Sequence, residues 1–387
     1  MTPNPPAPGE RYPSTPMSAT PDRLLCLVTM PPPVTGRTLA TRRLLERLRG
    51  EFELQVRDLA PDRPTRGWWL RLSKLQRTLG AIAWLAFHRR QPRTTIYLVA
   101  NHGAGLLYDN VFAALARRKR YPLVVHHHVF SYLNRRSLIF QAFLKAAPAN
   151  TLHVVLCRRM QDLLRCVYAP AHTFITVPNL VEAGTGERDE GLARPRSAEL
   201  VIGLLSNLTM AKGLEEVVAV HRSLAAAGIS VRLRLAGPAG DAASRRYIAR
   251  LLNEPAIAPI EWVGPVSGKG KVEYLRSLDV FLFPTRYRNE AQPLVLLEAL
   301  AQGVPVIAND RGCIGGLVDA EVGHLASDPA RFVEEATEWI AARWRSGKLR
   351  DAGLRGSAQK RAGFLSSHAR QSTDELAKAI RLGGANP

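Results

Sequence analysis

The segment of residues 280–308 constrains the fold of this chain more than any other stretch of its sequence. It holds two apolar runs, at residues 280–283 and 304–308, separated by a polar loop and a short apolar helix pattern at residues 293–301. Neither run alternates polar with apolar residues, which is typical of strands covered on both faces of a parallel sheet. Pro293 suits the first position of the helix, and Gly303 suits its C-terminal cap. The segment therefore predicts a strand–helix–strand unit of an α/β domain.

Two glutamates place carboxylates in and near the loop of this strand–helix–strand unit. Glu290 lies in the loop before the predicted helix, and Glu298 lies about two turns into that helix. The backbone amides of a first helical turn lack intrahelical partners and carry partial positive charge, so they suit a phosphate. Two carboxylates that accept hydrogen bonds from hydroxyl groups, set beside an anion-binding helix end, fit a sugar joined to a nucleoside diphosphate.

The motif Glu290-x₇-Glu298 is followed directly by Ala-x-Ala-x-Gly-Val-Pro-Val-Ile. With its flanking strands, this pattern resembles the donor-site signature of the retaining glycosyltransferases of family 4. The resemblance implies the GT-B fold, an α/β fold of two Rossmann-like parallel-sheet domains with an interdomain cleft. The alternation of strand and helix patterns along the chain independently favours parallel sheets. The implied activity is metal-independent transfer of a hexose from a nucleoside-diphosphate sugar, with retention of configuration.

The resemblance also implies roles for individual residues. Glu290 and the loop amides are expected to hold the sugar, and Glu298 is expected to accept hydrogen bonds from the ribose. Lys212 matches the lysine of the family's Gly-Arg-Leu-x₃-Lys-Gly loop, and it is expected to neutralise the departing diphosphate. The expected donor-binding residues are Asn207, Lys212, Gly264, Ala291, Gln292, Pro293, Leu294, Val295 and Glu298.

One position departs from the family pattern. Asn207 stands where the family has arginine, which leaves the diphosphate one cation fewer. Arg37, Arg286 and Arg288 are candidates to replace that charge, and the sequence does not choose among them. Gly36 and Arg37 follow the first predicted strand, in a loop that leads to a helix at residues 39–48, so this loop is expected to face phosphate and acceptor.

Three adjacent histidines close a predicted strand near residue 128. Strand alternation places His126 and His128 on one face and His127 on the other, so the three cannot converge on one metal ion. In the family, a histidine at the end of this strand contacts the transferred sugar, and His128 matches it best. The expected catalytic residues are therefore His128, Lys212 and Glu290, with no metal or other cofactor.

The chain divides into five predicted segments, counting those implied by the resemblance. They are a disordered tail (1–22), an N-terminal acceptor-binding domain (23–183), a linker (184–198), a C-terminal nucleotide-sugar-binding domain (199–360) and a C-terminal helix that crosses back to the first domain (361–387). The tail and the linker follow from their proline, glycine and charge content.

The net charge of +20 is unevenly distributed, with +15 in residues 1–200 and +5 in the remainder. Such an excess favours an anionic partner surface, and lipid is preferred because the arginines match no nucleic-acid-binding motif. A predicted helix at residues 66–90 carries Trp68, Trp69 and Leu79 on one broad face with basic residues at its margins. That pattern suits an interfacial helix, and it equally fits a helix packed on a sheet.

Hydropathy and cysteine spacing predict the compartment. No apolar run reaches the roughly 18 residues needed to cross a bilayer, and the first twenty residues lack the apolar centre of a signal peptide. The four cysteines form no Cys-x-x-Cys pair and lie in or near apolar runs, so reduced, buried thiols are expected. The predicted location is the cytoplasm, with peripheral attachment to the inner face of the membrane as an open alternative.

Three other functions remain open at this stage. A nucleotide-sugar epimerase of similar fold would turn over without an acceptor. A non-catalytic protein that binds nucleic acid or membrane would explain the charge but leave Glu290, Glu298 and Lys212 without a role. A family member that binds donor without turnover would be consistent with Asn207. A glycosidase also uses paired carboxylates, but a diphosphate leaving group needs positive charge rather than a strong acid.

Overall fold

A computed structural model describes residues 22–32, 34–61, 68–170, 172–181, 198–254 and 258–385. The predicted tail, apart from Asp22, and the predicted linker, apart from Ala198, lie outside the described residues. Within these ranges the protein contains two six-stranded sheets, and every pair of neighbouring strands is parallel. The sequence correctly predicted this architecture.

The first sheet has the strand order β2-β1-β3-β4-β5-β6, and the second has the order β12-β11-β10-β7-β8-β9. The strands are β1 (Arg23–Val28), β2 (Glu53–Asp58), β3 (Thr94–Val99), β4 (Leu123–His126), β5 (Leu152–Val155), β6 (Thr173–Thr176), β7 (Leu200–Leu205), β8 (Val231–Ala236), β9 (Ile260–Gly264), β10 (Val280–Phe283), β11 (Val306–Asn309) and β12 (Gly323–Ala326). In each sheet the order reverses beside the first strand, and such a switch point is where α/β proteins bind ligands, beyond the carboxyl ends of the strands.

Helices connect the strands and cover both faces of each sheet. They are α1 (Gly36–Leu48), α2 (Trp68–Phe87), α3 (Gly105–Arg118), α4 (Ser131–Asn134), α5 (Leu138–Ala146), α6 (Arg158–Tyr168), α7 (Leu214–Ala226), α8 (Ala242–Asn253), α9 (Gly268–Arg276), α10 (Leu294–Ala301), α11 (Phe332–Arg345) and α12 (Ala352–Ala385). Short 3-10 turns cover Met210–Lys212, Ile314–Gly316 and Lys348–Arg350.

Three helix starts differ from the sequence prediction, and one of them is that of α12, which begins at Ala352 rather than at residue 361. Helix α1 begins at Gly36, because Thr35 caps it: the Thr35 hydroxyl accepts from the Thr38 amide at 3.2 Å, and the Thr38 hydroxyl accepts from the Thr35 amide at 2.9 Å. Gly36 and Arg37 therefore lie in the first turn of a helix rather than in a loop. Pro293 is the N-cap of α10, with extended backbone, so the helix itself begins at Leu294.

Helix α12 contacts both halves of the molecule. Near its start, Ala358 and Ala362 belong to the hydrophobic core of the second sheet. Further along, Leu376 and Ile380 belong to the core on one face of the first sheet. The one helix thus packs against both sheets.

The cysteine prediction is wrong. Cys157 and Cys313 form a disulfide with a Cα–Cα distance of 5.8 Å, while Cys26 and Cys166 are free. The two bonded residues are 156 positions apart and follow strands of different sheets, so no local spacing revealed the pair. The bond joins the end of β5 to the turn after β11.

Helix α2 buries fewer side chains against the first sheet than the broad apolar face of its sequence predicted. Thr78, Ala81 and Leu85 are buried, whereas Leu79 is 51% exposed. The side chains of Trp68 and Trp69 lie outside the described residues. Within the ranges that the structure covers, no helix combines the length and the apolarity needed to cross a bilayer.

Candidate active site

The centre of the candidate site is an ion pair between Lys212 and Glu290. Lys212 ends the 3-10 turn after β7, and Glu290 lies in the loop after β10, so neighbouring strands of the second sheet bring the two residues together. Their side chains are only 21% and 11% exposed. The Thr285 hydroxyl donates to the same Glu290 oxygen at 3.2 Å. Lysine and hydroxyl together hold the carboxylate at the C-terminal edge of the sheet.

Two aromatic rings lie near the Lys212 ammonium, and a glycine follows Lys212 in the chain. Its ammonium lies 5.0 Å from the centre of the Tyr287 ring and 5.7 Å from that of Phe283, distances that favour a cation–π interaction. Gly213 has a φ of +86°, and a side chain there would meet the ring of Pro284 at 2.3 Å. Only glycine lets the lysine loop lie this close to the loop that carries Glu290.

A second glycine fixes the Glu290 loop from the other side. Gly312 has a φ of +56°, and a methyl group on its Cα would lie 2.2 Å from the Glu290 carbonyl oxygen. Next to it, the Cys313 amide donates to the Ala291 carbonyl at 2.8 Å. The turn after β11 therefore holds residues 290–291 in place through backbone contacts.

The predicted donor residues that follow Glu290 divide into two groups. Gln292 is buried and bonds to the first domain: its side-chain oxygen accepts from the Asn179 amide at 2.6 Å, and its carbonyl accepts from the Asn179 side chain at 2.9 Å. Pro293, Leu294 and Val295 form the start of α10, where no side chain of the described residues caps the helix. Its first amides remain suited to an anion.

Glu298 lies on α10 with its side chain 13% exposed, held by two basic residues that the sequence did not single out. Lys271 of α9 bonds to it at 2.7 Å, and Arg43 of α1 approaches the same oxygen at 3.6 Å. The Arg43 contact joins the two domains. Neither Arg43 nor Lys271 belongs to a recognisable motif. Each contacts Glu298 only because helices that are distant in sequence lie side by side in the fold.

The remaining predicted donor residues lie around this centre. Asn207 is exposed in the loop after β7, beside Gly240. Gly264 ends β9 with a φ of +73°, and a methyl group there would meet no atom of the described residues within 4 Å. Of the arginines that were candidates to replace the missing charge, Arg286 pairs with Glu216 at 2.9 Å, and the carbonyl of Arg288 accepts from the Asn134 side chain.

The opposite wall of the site comes from the first sheet and includes Arg37 and His128. Arg37 is partly buried, and its side chain makes no hydrogen bond or ion pair with another described residue. Burial lowers its pKa, and the nearby charges of Asp109 and of the Tyr287 phenol oppose that change. Tyr287 belongs to the second domain, so the third candidate, Arg37, lies within electrostatic range of the loop that carries Glu290.

A buried carboxylate lies behind Arg37. Asp109 has no exposed surface and accepts from the amide and the side chain of Asn101, both at 2.7 Å. Burial raises the pKa of Asp109 to about 6, although the bonds from Asn101 and the charges of Arg37 and Lys74 act in the opposite direction. Sequence reasoning missed Asp109, which lies on α3 with no motif around it.

His128 follows β4 and is 6% exposed. Burial, and then the charge of Arg37, lower its pKa to about 3, so the ring is neutral at physiological pH. His128 is thus a neutral ring with one buried nitrogen, Nε2, that has no hydrogen-bond partner among the described residues.

The neighbouring histidine takes part in a separate chain of hydrogen bonds. His127 lies 2.7 Å from the Tyr132 hydroxyl and 2.8 Å from His153, which lies 2.8 Å from His172. Burial lowers the pKa of His127 to about 3 and also lowers that of His153. These neutral rings connect β4, β5 and the start of β6, and they point away from His128. The described residues contain no group of three or more His, Cys, Asp or Glu side chains arranged to hold a metal.

Comparisons with known proteins agree with this architecture. Residues 199–342 match the family described as Glycosyl transferases group 1. Over 78 residues the chain is 38% identical to the phosphatidyl-myo-inositol mannosyltransferase of Mycobacterium leprae, and this stretch covers 19% of the chain and 21% of that protein. The chain therefore aligns with about a fifth of the length of this relative.

Two solved structures resemble nearly the whole chain. The sucrose-phosphate synthase of Thermosynechococcus elongatus has a TM-score of 0.67 at 17% identity, over 93% of this chain and 98% of its own. Anabaena HepE in complex with UDP-glucose has a TM-score of 0.65 at 16% identity, over 92% of this chain and 99% of its own. The chain therefore has the GT-B fold, and its residues 199–342 carry the sequence pattern of Glycosyl transferases group 1.

Proposed function

We propose that this protein is a retaining glycosyltransferase that moves a hexose from a nucleoside-diphosphate sugar to a glycan or lipid-linked acceptor, in cell-surface polysaccharide or glycolipid synthesis. The observation that carries the proposal is the Lys212–Glu290 pair, set in the same sheet edge as the uncapped start of α10. The matched mannosyltransferase and the UDP-glucose complex of HepE support a nucleotide sugar as donor.

In this proposal the second domain binds the donor. Glu298 accepts from the ribose hydroxyls, and Lys271 and Arg43 hold that carboxylate in place. The sugar lies against Glu290 and the 291–295 amides. When the bond from the anomeric carbon to the diphosphate breaks, Lys212 and the α10 amides stabilise the negative charge that develops on the leaving oxygen. Arg37 adds a charge from the first domain in place of an arginine at position 207, so the reaction needs no metal.

The first domain binds the acceptor. The acceptor hydroxyl oxygen forms the new bond to the anomeric carbon on the face that the leaving group has vacated, and its proton passes to the departing diphosphate oxygen, so configuration is retained. His128 offers its unpartnered Nε2 to the transferred sugar. Because the ring is neutral, it accepts or donates one hydrogen bond without adding charge.

The donor site is tested by thermal unfolding in the absence of metal with UDP-, GDP- and ADP-sugars. One nucleotide class at about 100 times its Kd is expected to raise the Tm of the wild type by roughly 3 °C, because ligand binds only the folded state. Glu298→Ala should lose this shift, whereas Glu338→Ala, which removes an exposed glutamate of α11, should keep it. An equal shift in both variants would remove Glu298 from the donor site.

We also propose that the protein works at the cytoplasmic face of a membrane. Exposed apolar side chains lie on three helices that pack side by side, α2, α3 and α5. They are Leu79 (51% exposed), Phe87 (88%), Leu107 (55%), Val111 (41%) and Leu138 (79%). The domain that carries them also carries most of the net positive charge, and apolar anchors with basic neighbours suit an anionic lipid surface.

Flotation with vesicles of phosphatidylcholine and phosphatidylglycerol tests this attachment. The double variant Phe87→Ser/Leu138→Ser is expected to reduce the floated fraction several-fold, because each serine removes an exposed apolar anchor. Leu382→Ser, which changes a residue 73% exposed on α12, serves as the matched control. Equal flotation of all three proteins, or salt-sensitive binding to RNA with none to vesicles, would reject the membrane surface.

A further inference from the structure

In addition to the polypeptide chain itself, a disulfide between described residues joins the two domains. Cys157 is the N-cap of α6, directly beyond β5, and Cys313 precedes the 3-10 turn beyond β11. Their disulfide connects the C-terminal edges of the two sheets, which are the edges that bear the candidate site. The bond therefore joins the walls that must separate if a ligand is to enter between them.

Weaker contacts surround the disulfide and cross the same boundary. Arg159 of α6 pairs with Asp310 at 3.1 Å, and both side chains are about half exposed. Asn179 makes its two hydrogen bonds to Gln292. An exposed ion pair and two hydrogen bonds open at modest cost, whereas a disulfide stays closed until it is reduced. Ala291 and Cys313 also pack in the apolar core of the first domain, and the disulfide is the covalent contact among the described residues on this side of the boundary.

The bond also reaches the sugar-binding loop. The Cys313 amide donates to the carbonyl of Ala291, and Gly312 packs on Glu290. Movement of Cys313 relative to α6 therefore moves the turn that holds residues 290–291. Separation of the domains at the disulfide would therefore shift Glu290 relative to Lys212. The shift would pass through the Cys313–Ala291 hydrogen bond and the close contact of Gly312 with the Glu290 carbonyl.

The disulfide borders a cavity on the side of Cys157, whereas Cys313 is buried, at 2% exposed. The bonded cysteines line a cavity of about 290 Å³ between the domains and α12, with Gln292, Phe364 and His368 in its wall. Cys157 is itself partly exposed. The other two cysteines serve as internal references: Cys166 is exposed on the same helix, and burial raises the pKa of Cys26 to about 12, which makes that thiol unreactive.

We infer that Cys157 and Cys313 form a reversible redox site that locks the two domains together when oxidised and releases them when reduced. Oxidation by a small-molecule disulfide such as glutathione disulfide forms the Cys157–Cys313 bond and breaks the sulfur–sulfur bond of the reagent. Two electrons pass to the reagent, and the two cysteine protons leave with the two glutathione thiols. A dithiol reductant reverses the step. Turnover then depends on redox state, a consequence that rests on the proposed function.

The site itself is tested without any assay of activity. The protein is equilibrated in ratios of reduced to oxidised glutathione, unfolded in alkylating reagent and analysed by mass spectrometry. Two alkylated cysteines, Cys26 and Cys166, are expected in the oxidised state and four in the reduced state. Cys166→Ser should still form the bond, and Cys157→Ser should not. Four alkylated cysteines under every ratio would overturn the inference.

The lock is tested by small-angle scattering and by turnover. Reduced wild type and Cys157→Ser are expected to show a larger radius of gyration than oxidised wild type, and release of product should be roughly tenfold faster in both because opening limits the rate. Equal radii in the two redox states would overturn the lock. A redox-dependent radius in a protein that transfers no sugar would leave the lock standing and reject the proposed function.

Discussion

Replacing Lys212 with methionine is expected to lower kcat by about 100- to 1000-fold, the loss typical of removing one preorganised charge from a developing oxyanion. Lys212 is 21% exposed and held by Glu290 and two aromatic rings, so its ammonium is positioned before the donor binds. A fixed charge stabilises the transition state more than the ground state, because the leaving diphosphate gains charge only as the bond breaks. The effect should therefore fall on kcat more than on the KM for donor.

The same substitution leaves Glu290, only 11% exposed, without its ion-pair partner. The loss of charge at the leaving group must therefore be separated from the effect of an unpaired carboxylate on the fold. The double variant Lys212→Met/Glu290→Gln removes the unpaired charge, and its kcat is compared with that of Glu290→Gln alone because Glu290 itself holds the sugar in the proposed function. Stability is expected to recover in the double variant, and kcat is not. Lys269→Met removes an exposed lysine of α9 and should keep wild-type kcat. A Lys212→Met enzyme within about threefold of wild type would exclude Lys212 from leaving-group stabilisation.

The local pattern around Glu290 and Glu298 was sufficient to predict the fold, with Glu290 in a loop before the helix that carries Glu298. Unalternating apolar runs identified buried parallel strands, and the residues after Glu290 predicted a helix whose start the structure moves by one position, to Leu294. These features depend on residues within about thirty positions of one another, where strand and helix periodicity carry the information.

Contacts between distant segments were not predictable in this way. Arg43 and Lys271 meet Glu298 from two different helices, and Cys157 meets Cys313 across 156 positions. Each contact follows from how two sheets and their helices are placed in space. A single sequence carries no periodic signal for such placement. The contacts of Arg43 and Lys271 with Glu298, and the Cys157–Cys313 disulfide, were therefore found only from the structure.

Replacing Gly312 with alanine is expected to destabilise the protein and to reduce transfer. A φ of +56° costs an alanine about 1–2 kcal/mol. Its methyl group would also lie 2.2 Å from the Glu290 carbonyl oxygen and 2.6 Å from that of Ala291, and relieving such overpacking costs roughly 1–3 kcal/mol. The backbone has to move away from Gly312, and residue 290 moves with it. We expect kcat/KM for the donor to fall by about 100-fold, since small misplacements of a positioned group cost that much.

Gly316→Ala is the matched control, because Gly316 lies four residues along the same turn and a methyl group there meets no described atom within 4 Å. Chemical denaturation and donor kinetics should be measured for both variants in reduced protein, so that the disulfide at Cys313 does not hold the turn in place. If the two substitutions destabilise equally and Gly312→Ala keeps its kcat/KM, the Gly312 turn does not position Glu290. If only Gly312→Ala loses both stability and transfer, the close backbone contact is what sets the sugar-binding loop against Lys212.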